Sequence, residues 1–471
     1  MERALLLFAC LTLCFPPWTY GLNKIWTEIG GAVVAALTLG IALVRRRYTE
    51  HAGESVIGMY YPARRLLHFP LFWLGATFLS LMAIGACNPA WFYESNGYHW
   101  WITANPNVPW LPTSVDTPFS FYSAWRTIAV YLAAWMIVCA LWIGITRRRS
   151  VQILGWVIAA NGLALGIVGL IHRFSGPQYD NVVLWSHAVR GAMSYGSFVS
   201  RNHAGAYLCL CVGLLAAFAA WSYFEGRRKM ARSSPTGTWL FLLCAMLIVI
   251  AFSYSRASVI VCACFLLMAF GAWAIMRWVH GSSLMPKQVT IVLVALFLAG
   301  GAFAVYTLDF SALERRFQEF SKHGEQEISY QMRVQARERA VRMLEDHWVR
   351  GTGAGSFRFL FPDYIRDNKF ISGGGRFFWE HAHNDWLQIP IEQGVAGVLL
   401  IAAAYFWWLW SWIKAGGWGH PFALMIFLGS LQTLIHAGMD FPFQHPGVLV
   451  TWWALLIMAL RWAEFEAPKT S

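Results

Sequence analysis

The stretch Trp379–Leu400, WEHAHNDWLQIPIEQGVAGVLL, opens on His381, His383, Asn384 and Asp385 and then becomes an apolar run. The run still carries Gln388, Glu392, Gly394 and Gly397. His381, His383 and Asp385 spell H-x-H-x-D. On an extended segment alternate side chains point the same way and can share a metal. Such a site needs further ligands, for which only His436 and His445 in HAGMDFPFQHPG are at hand. The competing reading is a helix start, because Asn and Asp side chains accept the orphan N–H bonds of a first turn. No metal site is therefore expected. Beyond the cap, Asp385, Gln388 and Glu392 fall at i, i+3 and i+7, on one helical face. Glu392 would lie roughly 10–12 Å below the cap. An ionisable group at that depth of a membrane helix must face the bundle interior or a wet cavity. Gly394 and Gly397 would let another backbone approach closely.

Three arginines could share this chemistry. Arg256 sits in SYSRAS, flanked by Ser253, Ser255 and Ser258 in a tight turn between two apolar runs. Arg201 opens RNHAGAYL beside Asn202 and His203. Arg333 lies on an amphipathic stretch between spans. Each alone reads as an interfacial anchor or a solvated charge. Together they suggest phosphate, since guanidinium donates two parallel bonds and stays charged. A histidine beside them can accept a hydroxyl proton near neutral pH. The combination points to a lipid-linked phosphate and a hydroxyl nucleophile. No P-loop, DFG-like set or DxD pair is present, which argues against nucleotide-driven chemistry.

These residues must be positioned by membrane helices. The chain has 471 residues, 58% hydrophobic and 13% charged, with a mean hydropathy of +0.47. Soluble domains carry about 25% charged residues. The expected fold is an all-α, polytopic bundle of roughly a dozen spans of about 20 residues. The apolar runs are Arg3–Tyr20, Ile25–Val44, Leu66–Cys87, Trp125–Ile145, Val151–Ile171, Ala204–Phe224, Trp239–Tyr254, Val259–Val279, Val289–Leu308, Asp385–Trp412, Phe422–Ala437 and Val448–Leu460. The first resembles a signal peptide without an A-x-A-like cleavage site and is expected as a retained span. All nine cysteines fall in or at the ends of apolar runs, as small hydrophobes rather than disulfides or zinc ligands.

The net charge of +12 comes from short basic loops. Arg45–Arg47, Arg147–Arg149, Arg227–Arg232, Lys287 and Lys414 all fall on one side if the spans alternate, and that side is expected to be cytoplasmic. No nucleic-acid partner is implied. The Trp-, Asn- and Pro-rich segment Asn88–Ser123, the segment Arg173–Ser200 and the long Asp309–Glu380 loop then face outward. In that last loop, Ile328, Met332, Ala336, Ala340, Leu344 and Trp348 recur at helical spacing. RGTGAGSF, with Gly353, follows as a glycine-rich turn. Trp91, Trp100, Trp101 and Trp110 suit an interfacial belt or stacking on sugar rings. The chain divides into residues 1–200 (helices and two outer loops), 201–308 (core helices), 309–383 (outer loop) and 384–471 (C-terminal helices).

On these motifs the chain resembles the O-antigen ligase and polysaccharide polymerase family. His383, Asn384, Gly394 and Gly397 meet the pattern H[NSQ]-x9-G-x2-[GTY]. FVSRNHAGAYL is similar to a family segment F-V-N-R-N-H, with Ser200 where Asn is common. SYSRAS is similar to S-x-S-R-[GA]. The stretch from Met332 to Tyr364 is similar to R…D-H-P-x-x-G-x-G-x-x-F, with Trp348 in place of proline. The resemblance covers Phe198 to Gly397.

It implies a GT-C-like fold in a bacterial inner membrane and an inverting, metal-independent glycosyl transfer at the periplasmic face without a cofactor. The donor would be a polyprenyl-pyrophosphate-linked glycan, and the acceptor lipid A-core or another repeat unit. By position, Arg256 and Arg333 match the pyrophosphate-binding arginines and His383 the residue that handles the acceptor hydroxyl. Arg201, Asn202, His203, Asn384, Asp385 and Glu392 are further candidates for substrate contact. Gly353, Gly394 and Gly397 are structural candidates. A small-anion transporter and a protein O-oligosaccharyltransferase are the competing readings. A transporter would set its ionisable groups on broken helices near the midplane, which only Glu392 with Pro390 fits.

Overall fold

The computed structural model describes residues 2–19, 24–49, 57–174, 194–230, 232–279 and 325–466. The helices are α1 (Glu2–Trp18), α2 (Ile25–Leu43), α3 (Pro62–Leu67), α4 (Pro70–Cys87), α5 (Ala124–Gly144), α6 (Arg148–Phe174), α7 (Arg201–Arg228) and α8 (Thr236–Phe252). They continue with α9 (Arg256–Val279), α10 (Glu325–His347), α11 (Phe357–Ile365), α12 (Lys369–Ser372), α13 (Asp385–Lys414), α14 (Pro421–His436) and α15 (Pro446–Glu466). Among the described residues, α2, α4, α5, α6, α7, α9, α13 and α15 are long and apolar enough to cross a membrane, eight in all. Helices α8 and α14 are shorter and apolar. The expected span Val289–Leu308 lies outside the described residues. The fold is a helical, multi-pass membrane bundle.

Helices α7 and α15 are the most enclosed of the eight, as their all-round apolar surfaces require. Helices α7 and α14 touch backbone to backbone at Gly213 and Gly429. A Cβ on Gly213 would stand 2.7 Å from the Gly429 Cα, so only small residues permit this crossing. Towards the other end of α14, Phe422 stacks on Trp462 of α15 at 4.0 Å.

The two ends of the bundle differ in chemistry. At one end Glu2 accepts from Thr146 and Ser150 and pairs with Arg147 at 3.5 Å. There Arg148 pairs with Glu466, and Arg461 donates to the Ile145 carbonyl. This basic end gathers the Arg147–Arg149 turn and both chain-terminal helices, as the loop charges predict. At the opposite end lie the polar residues singled out above.

At that opposite end the predominantly helical fold also carries a small sheet. Asn88–Ser123 holds a three-stranded sheet of β3 (Pro89–Ser95), β4 (Trp100–Ala104) and β5 (Ser114–Asp116), in the order β4-β3-β5. A hairpin of β1 (Arg46–Thr49) and β2 (Ile57–Tyr60) sits at the basic end. In the outer sheet β3 and β4 are antiparallel, with Trp91 opposite Ala104, and β3 and β5 run parallel. Asn96 closes the hairpin by accepting from the Tyr98 and His99 amides. Trp91 and Tyr93, two residues apart on one face, pack on a second apolar core with Val115, Ala336, Ala340, Met343, Phe357 and Phe361. Helix α10 therefore turns Met332, Ala336, Ala340 and Leu344 of the expected stripe onto this core. Trp348, one residue past its end, is exposed instead. Trp100 stacks on Tyr93 and meets Phe359 edge-on, whereas Trp110 stands in the open. Trp101 donates to Glu94.

Candidate active site

His383 precedes α13 with a φ of 50°, a left-handed backbone that costs a non-glycine residue free energy and needs support. The support comes from both sides. Asn384 is the N-cap and accepts from the Trp386 amide at 2.9 Å. The Asp385 amide donates to Ala437 O, and its carboxylate accepts from the Phe443 amide, both at 2.8 Å. These bonds clamp the start of α13 to the turn between α14 and α15.

The turn delivers Asp440 to the histidine. His383 Nδ1 lies 3.0 Å from Asp440 Oδ1. Asn202 Nδ2 donates to the other carboxylate oxygen at 2.7 Å, and Ser255 Oγ donates to Asn202 Oδ1 at 3.0 Å. Ser258 shares a hydrogen bond with Ser255. Burial pushes the Asp440 carboxyl up, but the bond from His383 and the nearby His203, His383 and His436 rings together outweigh this and hold it below the usual range. A buried, ionised carboxylate on Nδ1 fixes the ring's orientation and leaves Nε2 as the nitrogen that Asp440 does not engage.

The chain of bonds joins four elements that are distant in sequence: α7, the α8–α9 turn, the start of α13 and the α14–α15 turn. Arg256 directly follows Ser255, opens α9 and is exposed. Arg201 opens α7 beside Asn202. His203, one residue further, turns inward and packs edge-on against Phe441 at 4.6 Å. Arg333 lies half-buried on α10. One turn along that helix, Arg337 donates to Gly438 O at 3.3 Å, so α10 reaches across the turn that carries Asp440.

His381 and His383 do not converge. His381 stacks on Phe441 at 4.3 Å and its Nδ1 meets Gln388 Nε2 at 3.0 Å. His383 turns to Asp440 and meets Phe441 edge-on. Among the described residues no three His, Cys, Asp or Glu side chains form a metal-binding group.

Glu392 faces the loop that follows α10. Its carboxylate accepts from the Gly355 amide at 3.0 Å, the Phe357 amide at 3.3 Å and Gln388 Nε2 at 3.1 Å. Helix α13 is broken beside it: Gly394 has φ 60° and ψ −174°, a region essentially restricted to glycine. The carbonyls freed by this break are taken by the loop. Thr352 N donates to Ile391 O at 2.9 Å and Gly353 N to Glu392 O at 2.8 Å.

A Cβ on Gly394 would stand 2.7 Å from Gly351 N. Gly394 thus admits a close backbone, as expected, but one from the loop rather than from a neighbouring span. Gly353, at φ 94°, packs against Thr113 and Ser114 of the sheet. Gly397 faces its own Gln393 and the Phe78 ring of α4 rather than a backbone. The loop thus answers the Ile391 and Glu392 carbonyls beside the break.

Several polar residues at this end were not singled out from sequence. Arg126 of α5 forms a two-pronged buried pair with Glu28 of α2, one arm at 2.8 Å. Arg126 and Arg358 cover the Tyr122 ring, at 3.7 and 3.8 Å from its centroid. Burial pushes the Tyr122 hydroxyl up and the Arg358 guanidinium down from their usual ranges. A cavity of about 200 Å³ lies among Arg126, Arg358, His203, His381, Gln388 and His445. His381 and His445 are held well below the usual histidine range, first by burial and then by Arg358 beside His381 and His203 beside His445. The signal for Arg126 and Glu28 was available: each is an ionisable residue just inside an apolar run, a pattern that calls for a partner.

Fold and site together define a multi-pass membrane protein with a carboxylate-oriented histidine at the mouth of its bundle. Residues 240–402 match the family model described as O-antigen ligase. The match includes Arg256, Arg333, His383, Glu392 and both glycines of the α13 pattern. A search of curated proteins finds no match.

Proposed function

We propose that the protein is a membrane glycosyltransferase that moves a glycan from a polyprenyl pyrophosphate to a hydroxyl acceptor at the extracytoplasmic end of the bundle. The observation that carries this reading is the His383–Asp440–Asn202–Ser255 chain, which ends beside Arg256 within the O-antigen ligase match. Asp440 orients His383, and His383 Nε2 takes the proton of the attacking hydroxyl. General-base assistance of this kind contributes roughly 10²–10⁴-fold. Arg256 and Arg333 bind the pyrophosphate and neutralise the charge that develops as it leaves. The hydroxyl attacks the anomeric carbon from the opposite face, so configuration inverts. Helix α10 acts as a lid that carries Arg333 over the donor. The acceptor is lipid A-core or a further repeat unit, in a bacterial inner membrane whose cytoplasmic face meets the basic end.

The test is transfer by the purified protein from a lipid-linked glycan in EDTA. Turnover should persist, and Arg256→Ala, Arg333→Ala and His383→Ala should each abolish it with expression intact. Loss of turnover in EDTA with recovery on adding zinc would overturn the metal-free mechanism. A ladder of products indicates a polymerase, a single product a ligase. A reporter fused after Gly351 should read as extracytoplasmic, and a cytoplasmic reading would sink the orientation.

A further inference from the structure

The cavity beside the candidate site has a lining that the transfer mechanism does not use. Arg126 has its charge answered by the two-pronged bond to Glu28. Arg358 does not. Its side chain is 5% exposed, and its only ion-pair partner among the described residues is Glu380 at 3.9 Å, itself 56% exposed. A contact that long to a solvated carboxylate contributes little, and a buried arginine ordinarily has a closer partner.

The neighbouring donors are also unanswered. Gln388 uses its carbonyl on the Ala382 amide, so its amide nitrogen donates to His381 Nδ1. Neutral His381 then carries its proton on Nε2. That proton faces Arg358 Nη2 at 3.5 Å. Two donors facing each other at this distance leave room for an acceptor that both can reach. His203 and His445, both more than nine-tenths buried, line the same cavity. His203 Nε2 and His445 Nδ1 have no hydrogen-bond partner among the described residues. Unpartnered buried polar atoms around a void mark a place for a polar ligand.

We infer that the cavity formed by Arg358, His381, His203 and His445 is a subsite for the anionic group, carboxylate or phosphate, of an acidic or phosphorylated sugar. Arg358 and His381 Nε2 grip the oxyanion, and His203 and His445 meet the ring hydroxyls. At about 200 Å³ the cavity falls below the roughly 300 Å³ at which drug-sized pockets begin, so it takes one ring and not an oligosaccharide. Phe441 forms the wall between the subsite and His383, touching His381 on its face and His383 on its edge. A sugar held here lies one aromatic ring from the candidate base. The sugar's role as a transfer substrate rests on the proposed function; the anion site itself does not.

The experiment is equilibrium titration calorimetry on the full-length protein in detergent with glucuronate, glucose 6-phosphate, inorganic phosphate and glucose. One or both sugar acids should bind saturably and more tightly than inorganic phosphate or glucose; which acid binds decides between carboxylate and phosphate. Arg358→Gln should weaken that binding roughly 10–100-fold, and Arg358→Lys should restore part of it. If Arg358→Gln does not fold, His445→Gln serves as the second variant and should also weaken binding. Trp110→Ala, exposed and outside the lining, should bind as the parent does. No saturable binding by either acid, equal binding of glucose or inorganic phosphate, or unchanged binding by a folded Arg358→Gln protein would each overturn the subsite. Acid binding without any glycan transfer would overturn the transferase reading and leave the subsite standing. Transfer without acid binding would do the reverse.

Discussion

Glu392→Ala tests whether the buried glutamate of α13 is an anchor or a substrate contact. The substitution removes the acceptor of three donors: the Gly355 amide, the Phe357 amide and Gln388 Nε2. Each buried donor left unanswered costs about 1–3 kcal/mol. The three share one carboxylate and relax together, so the costs do not add fully, and a loss of about 3–5 kcal/mol is expected. Glu392→Gln keeps one carbonyl oxygen but turns an amide towards a donor, for a loss of about 1–2 kcal/mol. Thermal unfolding in detergent should rank the parent above the Gln variant and the Gln variant above the Ala variant. Limited trypsin digestion should open the chain at Arg350 or Arg358 in the same order, because the 351–357 segment loses its tie to the helix. KM for donor and acceptor should be unchanged in Glu392→Gln. A Glu392→Ala protein that unfolds with the parent and keeps this segment protected would refute the anchor. A raised KM without loss of stability would place Glu392 against substrate.

Asp440→Asn should lower kcat roughly 10²–10⁴-fold, close to the effect of removing the base itself, with the folded protein still purified in normal yield. Between Glu28 and Arg126, a single Glu28→Ala should destabilise by about 3–5 kcal/mol, whereas Glu28→Leu with Arg126→Met should come close to neutral; thermal unfolding distinguishes the two. His381 and His445 have folded values depressed below the ordinary value near 6.5. Folding therefore favours their neutral forms, and this stability is full above about pH 6.5 and lost as pH falls, by up to roughly 1.4 kcal/mol per pH unit for each histidine. The unfolding temperature should drop between pH 7 and pH 5, and His445→Gln should flatten that slope. Gly394→Ala should destabilise by several kcal/mol, because a Cβ would stand 2.7 Å from Arg350 C and Gly351 N in a backbone region closed to alanine. An unfolding temperature equal to the parent's would refute that steric reading.

Periodicity made the membrane spans and α10 legible, because long apolar runs and a helical stripe are local features. Charge made the common basic end legible through its short loops. The outer sheet escapes the periodicity reading although Asn96-Gly97 between two aromatic runs is a hairpin signal; by type its tryptophans suit an interfacial belt or sugar stacking as well as a sheet. His383, Asn384 and the α13 glycines were found because they lie within one short motif. Asp440 was passed over although its neighbours His436 and His445 were weighed as metal ligands. Its meaning depends on Asn202, 238 positions away, and such a pairing cannot be read from spacing. The same holds for Arg358 and Tyr122, which meet only when the 357–365 helix folds back over the start of α5.

The tie between the broken α13 and the 351–357 backbone bears on how such proteins can be recombined. Thr352 and Gly353 complete the hydrogen bonding of a membrane helix that begins more than 30 positions later, and Gly353 also rests on the outer sheet. Exchanging the outer loop alone between relatives would leave unanswered carbonyls inside the recipient's helix. A hybrid that folds must carry the sheet of residues 89–116, the loop and the first two turns of α13 from the same parent. Changes in the outer loop are thus expected to travel as this discontinuous block.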